Sequence, residues 1–340
     1  MHFAQSRVDS LSTVSESIMS VLTGYDDDAF GKASAASSIF TTPVQASRFF
    51  DFEPATPVRP RFPSDSEHIH MTREMAIRKK EDGQDEAMFS CVEYFSDIIK
   101  CSMQRQMRDH PSPNYQNQVN EEMRTILIDW FHDIVKEYSL KQETFHLACN
   151  LVDRLLSILN VDKNRFQLLG ATCLMIAAKF EEVFPPEIRE FSIITDNTYE
   201  VDEILQMEKF ILAQLDFDVA LPTAAWFAAS FGKRMKFNER MTKTMRYMVD
   251  LSLLDVHFLR YRPSDIAAAA ACFANVQWGK EAWPKEMIED TGIDTDDFVD
   301  ALKDLHHMYI TAPTSEYKSI FNKYCETDEM NVALLFAPTY

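Results

Sequence analysis

The stretch "LLGATCLMIAA", residues 168–178, decides the fold. Wound into a helix it is apolar on every side, so other helices have to surround it. A second such stretch, "IAAAAACFA" at 266–274, follows Pro263 and Ser264, residue types that suit a helix start. Helical spacing dominates from about residue 86 onward. It predicts helices near 121–138, 142–159, 164–180, 186–193 and 200–215. A second set is predicted near 222–232, 238–258, 263–278, 284–291 and 295–312, and a last short helix near 315–325. In each set the third helix is the most apolar, which implies one central helix wrapped by four. A lead helix over about 85–107 and the linker "DHPSPNYQNQ" (109–118) come first. The pattern predicts an all-α protein, two five-helix domains in tandem behind an N-terminal helix.

Composition narrows the function. The 340 residues carry 34 Lys and Arg against 53 Asp and Glu, a net charge of −19. Nucleic-acid binding runs on clustered cations, so that balance argues against it. Six cysteines form no Cys-x-x-Cys pair, and zinc or redox chemistry is not expected. No apolar run is long enough to span a bilayer, and no secretory signal opens the sequence. The reading is an intracellular, soluble protein. Residues 1–66 are crowded with Ser, Thr and Pro, and 1–84 read as a flexible tail.

The helix "MRTILIDWFHDIVKEY" (123–138) has too wide an apolar face. Ile128, Phe131, Val135 and Tyr138 make one stripe. Met123, Ile126, Leu127, Trp130 and Ile134 make another beside it. A surface helix needs an apolar stripe of only ~100°. The second stripe is either covered from within, for instance by the lead helix, or left as a docking surface.

Several motifs in register resemble the cyclin box: "MRTILIDW" (123–130), "ETFHLACNLVDRLLS" (143–157), "AAKFEEVFPPE" (177–187) and "ITDNTYEVDEILQMEKFIL" (194–212). "FDVALPT" (217–223), "PSDIAAAAACFA" (263–274), "LHHMYITAP" (305–313) and "MNVALL" (330–335) continue the likeness, which covers about 86–338. The chain is most similar to A-type cyclins, with B-type as runner-up. The resemblance implies two cyclin-box domains, at 121–216 and 217–326, after an N-terminal helix and linker (85–120) and before a C-terminal tail (327–340). It implies a non-enzymatic regulatory subunit, without cofactor or metal, that activates a cyclin-dependent kinase in S phase and G2-M. Such a subunit works in the nucleus and cytoplasm.

Lys179 alone is a cation at a helix end, favoured by the macrodipole. By resemblance, Lys179 and Glu208 are the charged pair that binds kinase backbone, with Ile176, Phe180 and Phe217 as apolar neighbours. Met123, Ile126, Leu127, Trp130 and Gln167 match a patch that docks Arg-x-Leu-type segments of substrates and inhibitors. Asp133 stands where A-type cyclins carry Glu, and Phe166 where they carry Leu, so an altered docking preference is expected. Arg124 and Asp153 match a structural ion pair. Thr56, in Thr56-Pro57-Val58-Arg59, and Thr42 are candidate phosphorylation sites. Residues 1–84 contain no Arg-x-x-Leu destruction box; the matches at 124–127 and 165–168 fall inside predicted helices. A TFIIB-type transcription factor would share the fold, but the acidity opposes it. No nucleophile–base set, glycine-rich phosphate loop or zinc spacing supports an enzyme.

Overall fold

The computed structural model describes residues 94–113 and 118–337. Residues 1–84 with Thr42 and Thr56, Cys91, and the 85–93 portion of the expected lead helix lie outside the described residues.

Twelve α-helices run among the described residues. After α1 (Phe95–Arg105), a first set comprises α2 (Glu121–Glu137), α3 (Gln142–Ile158), α4 (Phe166–Glu181), α5 (Ile188–Ile194) and α6 (Val201–Gln214). The second set comprises α7 (Ala224–Arg234), α8 (Glu239–Ser252), α9 (Pro263–Gln277), α10 (Lys285–Thr291) and α11 (Thr295–Thr311); α12 (Ser319–Tyr324) follows. The apolar stretches are the two central helices. α4 is buried from Leu168 to Ala178 and packs against α2, α3, α5 and α6. α9 is buried from Ser264 to Asn275 and packs against α7, α8 and α11.

The two sets open alike. Asn120 Oδ1 caps α2 by accepting from Met123 N at 2.8 Å, and Thr223 Oγ1 caps α7 by accepting from Trp226 N at 3.2 Å. Elsewhere the caps are borrowed from distant residues. Ser264 does not cap α9 with its own side chain, as its position suggested. It sits one residue inside the helix, fully buried, and its N–H donates to Gln106 Oε1 just after α1, at 2.9 Å. Gln106 Nε2 donates back to Ser264 Oγ. This seats α1 on the second set, where it also packs against α10. The described part of the lead helix, Phe95–Arg105, therefore lies on the second set and not on the second stripe of α2.

The helix expected over 238–258 ends at Ser252. The carbonyls just past its end are taken up by the first set: Leu253 O accepts from Arg124 Nη1 at 2.8 Å and Leu254 O from Thr125 Oγ1 at 2.9 Å. Asp255 then caps a 3-10 turn, Val256–Arg260. The last helix starts later than expected, at Ser319, whose N–H donates to Asp129 Oδ1 of α2. Among the described residues no helix is long and apolar enough to cross a membrane.

Candidate functional site

Two surfaces hold the candidate residues. The first forms where α4 ends beside α6. Lys179 lies in the last turn of α4, and its Nζ donates to Glu208 Oε1 on α6 at 2.7 Å. The lysine side chain is 44% exposed and the glutamate 15%. The α4 carbonyl end favours the cation, and an opposite charge at this distance fixes it in place.

Large apolar side chains stand in solvent on the same two helices and the loops that leave them. Phe180 is exposed, and so is Phe217, at 71%. Ile176 is buried and supports the surface from beneath. Phe217 has a backbone φ of +59°, next to Asp216 at +50°. Left-handed backbone is disfavoured for a bulky residue, and such strain persists where the surroundings enforce it. Here Phe217 N donates to Leu212 O and Asp218 N to Leu215 O, locking the turn at the end of α6.

Sequence reading missed two members. Val183 and Phe184 are both exposed in the loop after α4. They fall in the quoted "EEVFPPE", where paired prolines keep the chain extended after the helix but do not say which way the apolar pair faces. Glu182 anchors that loop: its Oε1 accepts from Lys141 N at 2.7 Å and from Thr144 Oγ1 at 2.6 Å, so it caps α3.

The second surface is the outer face of α2. Its stripe is divided. Ile126 is half exposed and Met123 half-buried, but Leu127 and Trp130 are buried. Leu127 lies where a Cβ on Gly170 would come within 2.7 Å of its Cδ1, so any larger residue there would force the Leu127 side chain to shift. The Trp130 indole N–H is buried without an acceptor. Phe166 is buried at the start of α4, beside the half-buried Gln167, and Asp133 is half-buried one turn beyond Trp130. Trp130 is thus a floor to this face and does not project from it.

Beneath lies a polar junction between the two helix sets. Arg124 pairs bidentately with Asp153, Nε to Oδ1 at 2.6 Å and Nη2 to Oδ2 at 2.8 Å, with both side chains buried. Its third donor reaches Leu253 O in the second set. Sequence reading did not single out the neighbouring centre. Asp250 of α8, fully buried, accepts from His146 Nε2 at 3.0 Å and Gln142 Nε2 at 2.6 Å, both from α3, and from Tyr324 OH at 2.7 Å. Burial alone would raise its pKa, but the His146 hydrogen bond and the nearby Lys323 charge hold it well below the usual carboxylate range. Nearby His132 is buried with neither ring nitrogen partnered. Burial, then the Lys323 charge, pushes its pKa down to about 3.

Residues 97–220 match the family described as cyclin, N-terminal domain, and residues 222–338 match cyclin, C-terminal domain. Over 322 residues the chain is 54% identical to the G2/mitotic-specific cyclin-A1 of Caenorhabditis elegans, covering 92% of this chain and 64% of that protein. It is 36% identical to the G2/mitotic-specific cyclin-A of Patella vulgata, with 80% and 64% covered. Human cyclin-A1 is also 36% identical, with 74% and 55% covered. The chain therefore spans less than two thirds of the length of these relatives. Among solved structures, a viral cyclin from herpesvirus saimiri aligns with a TM-score of 0.57 at 19% identity, over 66% of this chain and 99% of that one. A chain of the yeast RNA Pol II CTD kinase CTDK-1 complex aligns at 0.51 and 14% identity, over 70% and 78%. At these identities the likeness is one of fold.

Proposed function

The chain belongs to the cyclin family and is most like its A-type members, and from that premise we propose that it is the regulatory subunit of a cyclin-dependent serine/threonine kinase. It performs no chemistry itself. Its boxes, 121–216 and 217–326, present the surface around Lys179 and Glu208 to the kinase's mobile C-helix. By binding the inward position better than the outward one, it shifts the kinase toward the state with its Lys–Glu ion pair formed. The face around Ile126 then recruits substrates and inhibitors with Arg-x-Leu-type segments, in S phase and G2-M, in the nucleus and cytoplasm.

The observation that carries this reading is a fixed ion pair between two helices whose ends and following turns carry solvent-exposed phenylalanines, one on a strained turn. Moving an equilibrium from 1:99 to 99:1 takes about 5.5 kcal/mol of differential binding. Fully burying one phenylalanine contributes about 1.5–3 kcal/mol. Phe180, Phe184 and Phe217 are each at least half exposed, so covering all three supplies energy of the required order. A chain of this fold also occurs in the yeast RNA Pol II CTD kinase CTDK-1 complex, which supports pairing the fold with a kinase.

The test mixes the purified chain with candidate cyclin-dependent kinases and follows histone phosphorylation. Stimulation is expected, and Lys179→Ala with Glu208→Ala is expected to weaken kinase binding by more than ~30-fold, as for paired hot spots. An unchanged binding curve for a folded double variant would remove the assignment.

A further inference from the structure

The outer face of α2 has three features that together describe what covers it. Ile126 offers exposed apolar surface. Trp130 holds a buried indole N–H with no acceptor. Glu122, Asp129 and Asp133 have no cation within ion-pair distance among the described residues; Asp129 accepts only from Ser319. These carboxylates crowd one another: Asp133 acts on Asp129, and Glu122 and Asp129 both act on Tyr317. Burial, opposed by the Ser319 bonds and aided by Asp133, raises the Asp129 pKa. The fitting occupant is a short extended segment with guanidinium groups for the carboxylates, an apolar side chain for Ile126, and free backbone carbonyls.

We propose that residues 58–63 of this same chain, "VRPRFP", dock onto the α2 face around Ile126 and Trp130, so that the chain masks its own docking surface. The inference rests on the docking role proposed above and adds the occupant. Arg59 and Arg61 give the segment a charge of +2, and Phe62 supplies the apolar anchor. Pro60 and Pro63 restrict φ and disfavour a helix, so little conformational freedom is lost on docking. The most aromatic stretch before Tyr94, "ASRFFDFE" at 46–53, carries a net charge of −1 and is repelled by the same carboxylates. Reach is ample. Between Phe62 and Tyr94 lie 31 residues, which extend to roughly 100 Å, against a radius of gyration of about 18 Å for a body of this size.

The experiment uses the full chain and two fluorescent synthetic peptides, one with the sequence of residues 55–66 and one generic Arg-x-Leu peptide, read by anisotropy. A tethered segment competes at an effective concentration near the millimolar range. Arg59→Ala/Arg61→Ala/Phe62→Ala is therefore expected to bind both peptides at least tenfold more tightly than the natural chain. Adding Ile126→Asp is expected to abolish that binding. Equal affinity in the natural chain and the triple variant, still lost with Ile126→Asp, overturns self-docking and leaves the docking surface standing. A gain seen only with Phe49→Ala/Phe50→Ala, or only with Arg78→Ala/Lys79→Ala/Lys80→Ala, gives the surface to another segment and overturns the assignment to 58–63. Failure of both peptides on every variant removes the docking surface itself.

Discussion

In the role proposed for it, Phe217 sets binding against stability. A non-glycine residue in left-handed backbone gives up roughly 1–2 kcal/mol, and an aromatic ring in water returns nothing for it. Phe217→Gly relieves the strain, though glycine's larger unfolded-state entropy offsets 0.5–1 kcal/mol of the gain. The expected result is unchanged or slightly raised stability in urea, by at most about 1 kcal/mol, with kinase affinity reduced at least tenfold. A variant equally weakened in both would mean that the ring packs within the fold. Lys179, Glu208 and Phe217 were legible only because their motifs resemble a known family; as bare residues they are a helix-end cation, a helical carboxylate and a turn. Exposure at Val183 and Phe184 was not legible, because an apolar pair beside prolines reads as easily as buried loop packing. Trp130 is the reverse case. Its pattern marks an anchor, but its burial means Trp130→Ala would open a core cavity, at about 3–5 kcal/mol, so Ile126 is the cleaner probe.

At the scale of elements, periodicity located the helices to within a few residues, because burying an apolar face sets where a helix can run. It did not reveal how the helices end. α3, α9 and α12 are capped at their starts by Glu182, Gln106 and Asp129, which lie far away in sequence. No local pattern encodes a cap supplied from another helix. Glu182→Ala tests what such a cap does. It strands the Lys141 N–H and the buried Thr144 hydroxyl and frees the loop that displays Val183 and Phe184. Loss of a cap typically costs about 1–2 kcal/mol, so the urea midpoint falls. Kinase affinity falls further than stability alone explains, since a loosened loop loses ordering entropy on binding. Glu182→Gln, which still accepts, is expected to recover most of both losses. Equal damage from Gln and Ala would show that the negative charge, and not the cap, is what matters.

For the whole molecule, the two helix sets are tied by buried polar groups that no sequence pattern paired: His146 and Asp250 lie 104 positions apart. The available signal was an aspartate on the apolar face of α8, a buried charge that requires partners. This junction makes stability depend on pH in two separate windows. His132 has a folded-state pKa of about 3 against the ordinary 6.5. Below pH 6.5 the unfolded chain takes up a proton that the folded chain refuses, so stability is full above that pH and declines as pH falls. The slope is about 1.4 kcal/mol per unit, or roughly 2 kcal/mol lost at pH 5. Asp250 is held below the usual carboxylate range, so its contribution persists above the ordinary value of about 4 and is lost only at lower pH. His132→Leu removes the first window and leaves in place the His146 hydrogen bond and the Lys323 charge that dominate the second. It also removes two unpartnered buried nitrogens, so it is expected to raise stability at pH 7 by about 1 kcal/mol and to flatten the urea midpoint between pH 7 and 5. Asp250→Asn instead breaks the charge-assisted bonds that join the sets and is expected to cost about 3–5 kcal/mol at pH 7. A midpoint that still falls between pH 7 and 5 in His132→Leu, with the natural slope, would assign that dependence to the exposed histidines and leave the buried ring as packing alone.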